Sequence, residues 1–326
     1  MIPTRRMLLY FGCTAFLALL CRYSADCAQA VRCAVTLCLR SAAPSLFPFF
    51  AASSLAISCG MAQALGRLLS PITRRFFHLP DCGAAALVLG FLGGYPAGAR
   101  MAAELWRRGD CSRTQAETLL AVCNNTGPAF LIGMCGGGLF HSVRAGVFLY
   151  AVHIGAALLT ALLLRPKARP PIAKKQAAPE EIPFFRCLTQ SIVSAGRSCL
   201  MVCAFILFFS VILCLLRLTG VLPALCRITA PIFAAFGLTS DGTLALLTGC
   251  VELTQGLAGL TAAAGTLSAR LTAVSFLCAF GGASVLFQSA AAAEGLRMSR
   301  CICGKCLHAC LAALLCTLLL HLFPCA

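Results

Sequence analysis

The chain has 326 residues, of which 60% are hydrophobic and only 11% charged, and its formal net charge is +16. A soluble domain carries about a quarter charged residues, so this chain cannot cover itself with polar surface, and a soluble enzyme is excluded. Nucleic-acid binding is also excluded, because the basic residues lie between apolar segments, as membrane loops do, and form no compact basic domain.

Apolar runs long enough to cross a hydrocarbon core of about 30 Å recur along the chain. In lipid each must satisfy its own backbone, so an all-α polytopic membrane protein is expected. Arg5 and Arg6 precede an apolar stretch over 7–21, and Ala28-Gln29-Ala30 resembles a cleavage site. Because more spans follow, retention as a first membrane helix is expected, with 27–40 a short amphipathic connecting helix, so that 1–40 form an N-terminal unit.

From there the chain reads as a duplication. Leu65, Arg67, Pro71 and Ile72 recur about 160 residues on as Leu225, Arg227, Pro231 and Ile232. Gly83 and Gly90 match Gly242 and Gly249, and Arg113 and Ala116 match Arg270 and Ala273. The repeats are expected over 41–165 and 198–326, joined by a basic linker, 166–197, that contains Pro166, Pro170, Pro171, Lys174 and Lys175.

Each repeat has the same parts in order. An apolar span (41–60; 198–218) is followed by a mixed segment near Pro71 or Pro231, read as an interfacial helix. A glycine-bearing apolar stretch (83–106; 241–264) comes next, then an apolar stretch with a break (115–138; 270–292), then a closing span (143–164; 303–323). The centre of 83–106 is Gly93-Gly94-Tyr95-Pro96-Ala97-Gly98, which is turn chemistry. The arm 83–92 would make about 15 Å of helix, enough to reach halfway across the core. Residues 242–250 followed by Glu252 to Gly256 repeat that design. Both stretches are read as re-entrant hairpins.

Basic residues decide between hairpin and crossing. With two hairpins, each repeat crosses three times, and 19 of the 26 basic residues fall inside, among them Arg100, the linker group, Arg297, Arg300 and Lys305; seven fall outside. If 83–106 crossed, the linker cluster would lie outside, against the positive-inside rule. Three crossings is odd, so the second repeat is expected to be inverted relative to the first. Inverted repeats with broken helices are a transporter signature.

Four segments are expected to converge at the repeat interface. One is the first tip, with Gly94, Tyr95, Pro96 and Gly98. The second is Asn124-Asn125-Thr126-Gly127-Pro128, where proline stops the helix and exposes half-helix ends with amides beside them. The third is the second tip, with Glu252, Thr254 and Gln255, and the fourth is Gly281-Gly282-Ala283-Ser284. The bland alternative for the asparagines is a packing kink, and for Glu252 a tip that faces water. A carboxylate near the membrane centre costs roughly 2.5–3.5 kcal/mol, which favours function. Tyr95 either stacks on substrate or packs, and Arg100 either meets an anion or snorkels to the interface. His78, His141, His153 and His321 read as packed or interfacial.

The 23 cysteines lie mostly in apolar segments and act as small hydrophobes. Cys301, Cys303, Cys306 and His308 cluster, but no second ligand pair has zinc-finger spacing, so no metal is expected. No enzyme motif is present, neither H-E-x-x-H, G-x-S-x-G, P-loop nor dinucleotide fingerprint, and no catalytic residue is expected.

Ser45-Leu46-Phe47-Pro48-Phe49-Phe50, Gly90 through Gly98, and Cys123-Asn124-Asn125-Thr126-Gly127-Pro128 together resemble the YlbJ-type sporulation integral membrane proteins, which contain nucleoside recognition, or gate, domains. The resemblance covers about 41–326. The gate domain is similar to parts of concentrative nucleoside transporters and ferrous-iron permeases, which implies hairpins, broken helices and substrate held between them, with Glu252 at a contacting position. The first tip has no acid, which sets nucleoside specificity apart. The sporulation branch implies movement of dipicolinic acid, a planar aromatic dianion, toward the spore.

The expected function is transport of a small polar or anionic solute by a multi-pass protein of a bacterial cell or forespore membrane. The alternatives are a non-transporting scaffold for spore envelope or cortex assembly, and a nucleoside transporter. The expected partners are the bilayer and the solute. No cofactor is expected beyond a coupling ion, H+ or Na+, and an oligomer is compatible with this reading. With native cysteines removed, Asp110→Cys and Ala178→Cys should both resist an impermeant thiol reagent in whole cells. Labelling of either from outside would show the inverted topology to be wrong.

Overall fold

A computed structural model describes residues 4–166 and 183–323, and every named element in them is helical. The sequence-expected parts appear in order. Helix α1 (Thr4–Arg22) carries Met7, Leu8, Leu9 and Phe11 exposed, as a lipid-facing helix would. Helix α2 (Ser24–Leu37) passes through a π-turn, Cys38–Ala42, into α3 (Ala43–Ser58). Then come α4 (Met61–Phe77), α5 (Asp81–Gly93), α6 (Ala97–Arg107), α7 (Arg113–Cys123), a π-helix over Ala129–Leu139, and α8 (Val143–Leu163). The second half runs α9 (Phe184–Leu218), α10 (Val221–Ala234), α11 (Ser240–Val251), α12 (Leu253–Ala262), α13 (Leu267–Phe280), α14 (Gly282–Ala292) and α15 (Ser299–Leu322). Each half therefore holds a span, an interfacial-type helix, a hairpin, a broken helix and a closing span.

Among the described residues five spans are long and apolar enough to cross a bilayer: Ser24–Ser58, Val143–Leu163, Phe184–Leu218, Leu267–Ala292 and Ser299–Leu322. With α1 and the broken helix formed by α7 and the π-helix, these are the seven segments expected to cross. Helices α4 and α5 meet at an angle of 102°.

Three expectations are corrected. The segment 27–40 is not a separate connecting helix; it is continuous with α3 in one span, Ser24–Ser58. Pro44 lacks an N–H and would clash with the preceding turn, and the π-turn just before it widens the helix enough to carry the chain through. The span expected from 198 starts at Phe184, inside the stretch read as linker, so Arg186 and Arg197 are helical. Pro183 is its N-cap residue, and Cys187, Ser191, Ala195 and Cys199 form a buried stripe at four-residue spacing against α3. The linker residues Lys167, Arg169, Lys174 and Lys175 lie outside the described residues. Finally, Lys305, counted among the inside basic residues, does not reach the water there: it lies within α15 and is fully buried.

Close backbone approach docks the first hairpin on the end of α7. A Cβ at Gly90 would stand 1.7 Å from the Cys123 carbonyl oxygen, and one at Gly98 would stand 2.0 Å from it. Only glycine lets the two arms straddle that carbonyl. Gly90→Ala should therefore lower stability by at least about 2 kcal/mol, read as the midpoint of thermal unfolding in detergent. Gly196→Ala, in α9 with open space around the added methyl, should be neutral or raise stability by about 0.5–1 kcal/mol. Equal effects of the two would show that hairpin docking does not depend on this contact.

Candidate functional site

The site is built from four interruptions. In the first hairpin, Gly94 takes positive φ and Tyr95 and Pro96 complete the tip between α5 and α6. In the first broken helix, Ser112 and Gln115 form a capping box that starts α7, and the chain leaves helical geometry at Asn124. Asn125 donates its side-chain amide to the Val122 carbonyl at 2.8 Å and so caps the end of α7. In the second hairpin, Glu252 is both the last residue of one arm and the N-cap of the next: its carboxylate accepts from the Thr254 N–H at 3.1 Å and the Gln255 N–H at 2.8 Å. In the second broken helix, Gly281 and Gly282, with φ of 90° and 70°, turn the chain between α13 and α14.

These interruptions are tied to one another across the halves. Thr126 donates its hydroxyl to the Cys278 carbonyl at 2.6 Å, and Tyr95 donates to the same oxygen at 3.2 Å. Asn124 donates to Ser289 Oγ at 2.6 Å. The Thr126 N–H donates to His153 Nε2 at 3.1 Å, and the His153 and His308 rings stand 4.5 Å apart. Lys305 Nζ donates to Tyr95 Oη at 3.1 Å and lies 4.9 Å from the ring centre. Gln255 donates its side-chain amide to Ser210 of α9.

The four interruptions border one cavity. Gly94, Tyr95, Thr126, Gly127, Glu252, Thr254 and Ser284 line it, with Gln288 and a wall of Leu46, Phe50, Val202 and Ile206. Its volume is about 30 Å³, room for a water or two. Of the remaining expected site residues, Pro96 lines a neighbouring cavity, while Gly98, Asn124, Asn125, Gln255, Gly281 and Gly282 stand behind the wall as packing, capping and tethering groups. The Ser284 hydroxyl, on the cavity, and the side-chain amide oxygen of Asn124, behind its wall, are buried without a hydrogen-bond partner among the described residues.

A second cavity, about 280 Å³, shares Phe50 and Tyr95 with the first and adds Ser53, Ser54, Pro96, Arg100 and Ser194. A third, about 560 Å³, shares Arg100 and Ser194 and adds Gln190 and Arg197. The three adjoin in series, Arg100 and Ser194 lying between the third and the second and Phe50 and Tyr95 between the second and the central cavity.

Gln288, Lys305, His153 and His308 were not expected at the site. Gln288 lies one turn beyond Ser284 on the same helix face, a spacing visible in the chain. Cys301, Lys305, Ala309, Ala312 and Cys316 mark a buried stripe on α15. The meeting of His153 with His308 is long-range and has no local signal. Cys303 and Cys306 are exposed while Cys301 and His308 are buried, and no group of three metal-ligating side chains gathers among the described residues.

Paired helical hairpins whose tips meet two broken helices at one buried cavity define a multi-pass membrane protein with a transporter-like fold. Comparison with known proteins shows what the chain is similar to. Residues 39–137 match the Gate family, described as nucleoside recognition. The chain is 30% identical over 267 residues to the sporulation integral membrane protein YlbJ of Bacillus subtilis (strain 168), an alignment covering 76% of this chain and 65% of that protein. The resemblance to the YlbJ-type sporulation integral membrane proteins, with a nucleoside recognition domain, therefore holds, and the chain spans 65% of the relative's length. Among solved structures it is similar to CNTnw in an inward-facing substrate-bound state, at TM-score 0.61 and 12% identity, covering 97% of this chain and 87% of that one. It is also similar to a doubly substituted CNTnw in an outward-facing state, at TM-score 0.63 and 11% identity, covering 97% and 85%. At such identity the likeness is one of fold, that of a concentrative nucleoside transporter.

Because Tyr95 and Thr126 share one acceptor, their losses should be coupled. Tyr95→Phe and Thr126→Val should each destabilise by about 1 kcal/mol. The double variant should cost at least about 1 kcal/mol more than the sum, because only then is the buried Cys278 carbonyl orphaned. Additive losses in a thermal or denaturant double-mutant cycle would show that this carbonyl does not join the two halves.

Proposed function

We propose that this protein is a transporter that carries a small polar or anionic solute through the bilayer by alternating access between its two repeats, in sporulation, with dipicolinic acid as the solute. It performs no covalent chemistry. The observation that carries the reading is the convergence of both hairpin tips and both helix breaks on one cavity. A scaffold has no need of a buried carboxylate and four interrupted helices at one cavity.

The chemistry of the lining suits such a solute. The N-terminal ends of α12, α14 and the π-helix flank the cavity and favour negative charge. Tyr95, Thr126, Thr254, Ser284 and Gln288 supply donors around an otherwise apolar wall. The carboxylate of Glu252 is held by two backbone N–H groups, which leaves further lone pairs for a substrate hydroxyl, a protonated group or a proton. The central cavity is too small for the solute as it stands, so loading requires the Phe50–Tyr95 constriction to open toward the arginine-lined vestibule. Arg100 and Arg197 there attract anions to the approach.

Purified protein in liposomes should accumulate dipicolinate, and Glu252→Ala should cut the initial rate by about tenfold or more, ~1.4 kcal/mol of lost stabilisation. The same variant should remain folded, since the lost cap costs only about 0.5–2 kcal/mol. Nucleosides are the second solute class to assay, because the matching family is described by nucleoside recognition. Uptake of neither class, together with full sporulation of the Asn125→Ala and Glu252→Ala strains, would overturn the transport reading in favour of a scaffold.

A further inference from the structure

Lys305 is the largest side chain in the interior that the proposed transport cycle leaves without a task. It is 0% exposed, and lysine is almost never fully buried unless paired. Among the described residues it forms no ion pair. Its contacts are the Tyr95 hydroxyl at 3.1 Å and the face of the Tyr95 ring, 4.9 Å from the centroid.

Helix ends offset this charge in place of a carboxylate. Tyr95 directly follows the tip glycines that end α5. The Tyr95 hydroxyl donates its own hydrogen bond to the Cys278 carbonyl, in the last turn of α13. The neighbouring residue, Gly304, packs so closely on the last turn of α7 that an added Cβ would stand 3.2 Å from the Ala121 carbonyl oxygen. Asn124, whose side-chain amide oxygen has no hydrogen-bond partner among the described residues, stands at the end of that same helix. Two helix C-termini, that of α13 reached through the Tyr95 hydroxyl and that of α7 packed against Gly304, therefore lie on the side of α15 that carries the ammonium group, each with roughly half a negative charge. The ring face and the phenolic oxygen add to the same sign of field. In transporters built from interrupted helices, such carbonyl ends are where a free Na+ is drawn.

We propose that Lys305 is a resident cation: its ammonium group, tethered to α15, does at the first hairpin tip what a bound alkali ion would otherwise do, so that this protein neither needs nor binds Na+ there. The ammonium holds Tyr95, and through its hydroxyl the end of α13, without drawing an ion from solution. Lys305 is accordingly a positioning residue, acting through Tyr95 on the cavity rather than on the solute. The coupling claim rests on the transport reading, whereas the cation-replacement claim does not.

The test separates the two. Thermal unfolding of the purified protein is measured in NaCl and in choline chloride at equal ionic strength, for the native protein, Lys305→Ala, Lys305→Ser, Lys305→Met and Lys305→Arg. The native protein and Lys305→Arg should melt at the same temperature in both salts. Lys305→Ala and Lys305→Ser, which remove the ammonium and leave room, should melt lower in choline and rise saturably with Na+, by about 4 °C or more. Lys305→Met fills the space without charge and should be weakened in both salts alike.

A Na+-specific rise in the native protein, or none in the alanine and serine variants, overturns the proposal. So does failure of both variants to fold even in NaCl, since an ion then does not substitute for the ammonium. In liposomes, dipicolinate uptake by the native protein should be unchanged when choline replaces Na+, and strict dependence on Na+ likewise overturns it. Absence of uptake in every salt counts against transport and leaves the melting result to decide the role of Lys305.

Discussion

The carbonyl oxygen of Cys278 is the point on which the interior is assembled. It sits in the last turn of α13, where a helix runs out of N–H partners, and it accepts from Tyr95 on the first hairpin tip and Thr126 in the first helix break. One exposed helix end in the second half thereby fixes the two irregular segments of the first half. Without such donors the broken ends would be unpaired backbone at membrane depth, which is tolerated only where protein or a polar cavity satisfies it. The interruptions must therefore meet one another, and the cavity is the space left where they do.

Charge placement follows from the same constraint. The four breaks present helix N-termini and helix C-termini around one centre. Glu252 sits at an N-terminus, accepting from two N–H groups, and Lys305 sits against Tyr95, whose hydroxyl binds the C-terminal end of α13. Each buried charge lies at the end of opposite sign, so the interior holds both without a direct ion pair among the described residues. An ion pair would lock the two halves together, whereas charges held by separate helix ends allow the hairpin tips to part.

Much of this was legible from punctuation in the chain. Gly93-Gly94-Tyr95-Pro96, Asn124 through Pro128, Glu252 and Gly281-Gly282 interrupt apolar runs with residues that end helices, and each interruption is found in the structure. Element boundaries were less legible where two local signals compete. Pro44 reads as a stop, yet a π-turn absorbs it, and the polar start of α9 reads as linker although its buried four-residue stripe is a helix signal. Lys305 was obscured for another reason. Counting basic residues assigns each to a loop by its sign, and a lysine whose charge is held by helix ends looks the same in sequence as one in water. Its stripe-mates Cys301, Ala309, Ala312 and Cys316 place it on a buried face.

The position of Tyr95 explains why the constriction and the charge network are one device. Its ring lines both the central cavity and the larger vestibule, while its hydroxyl is held by Cys278 on one side and Lys305 on the other. A tyrosine has two side-chain torsions, so fixing the hydroxyl fixes the ring. Rotating the ring to admit a solute breaks the hydroxyl contacts, and the Cys278 carbonyl is then left with Thr126 alone. Opening is thus coupled to the join between the halves: the vestibule connects to the cavity only when the first hairpin tip loosens its hold on α13. On the proposed alternating-access reading the same event accompanies relative motion of the repeats, and a single aromatic side chain between two cavities would couple them.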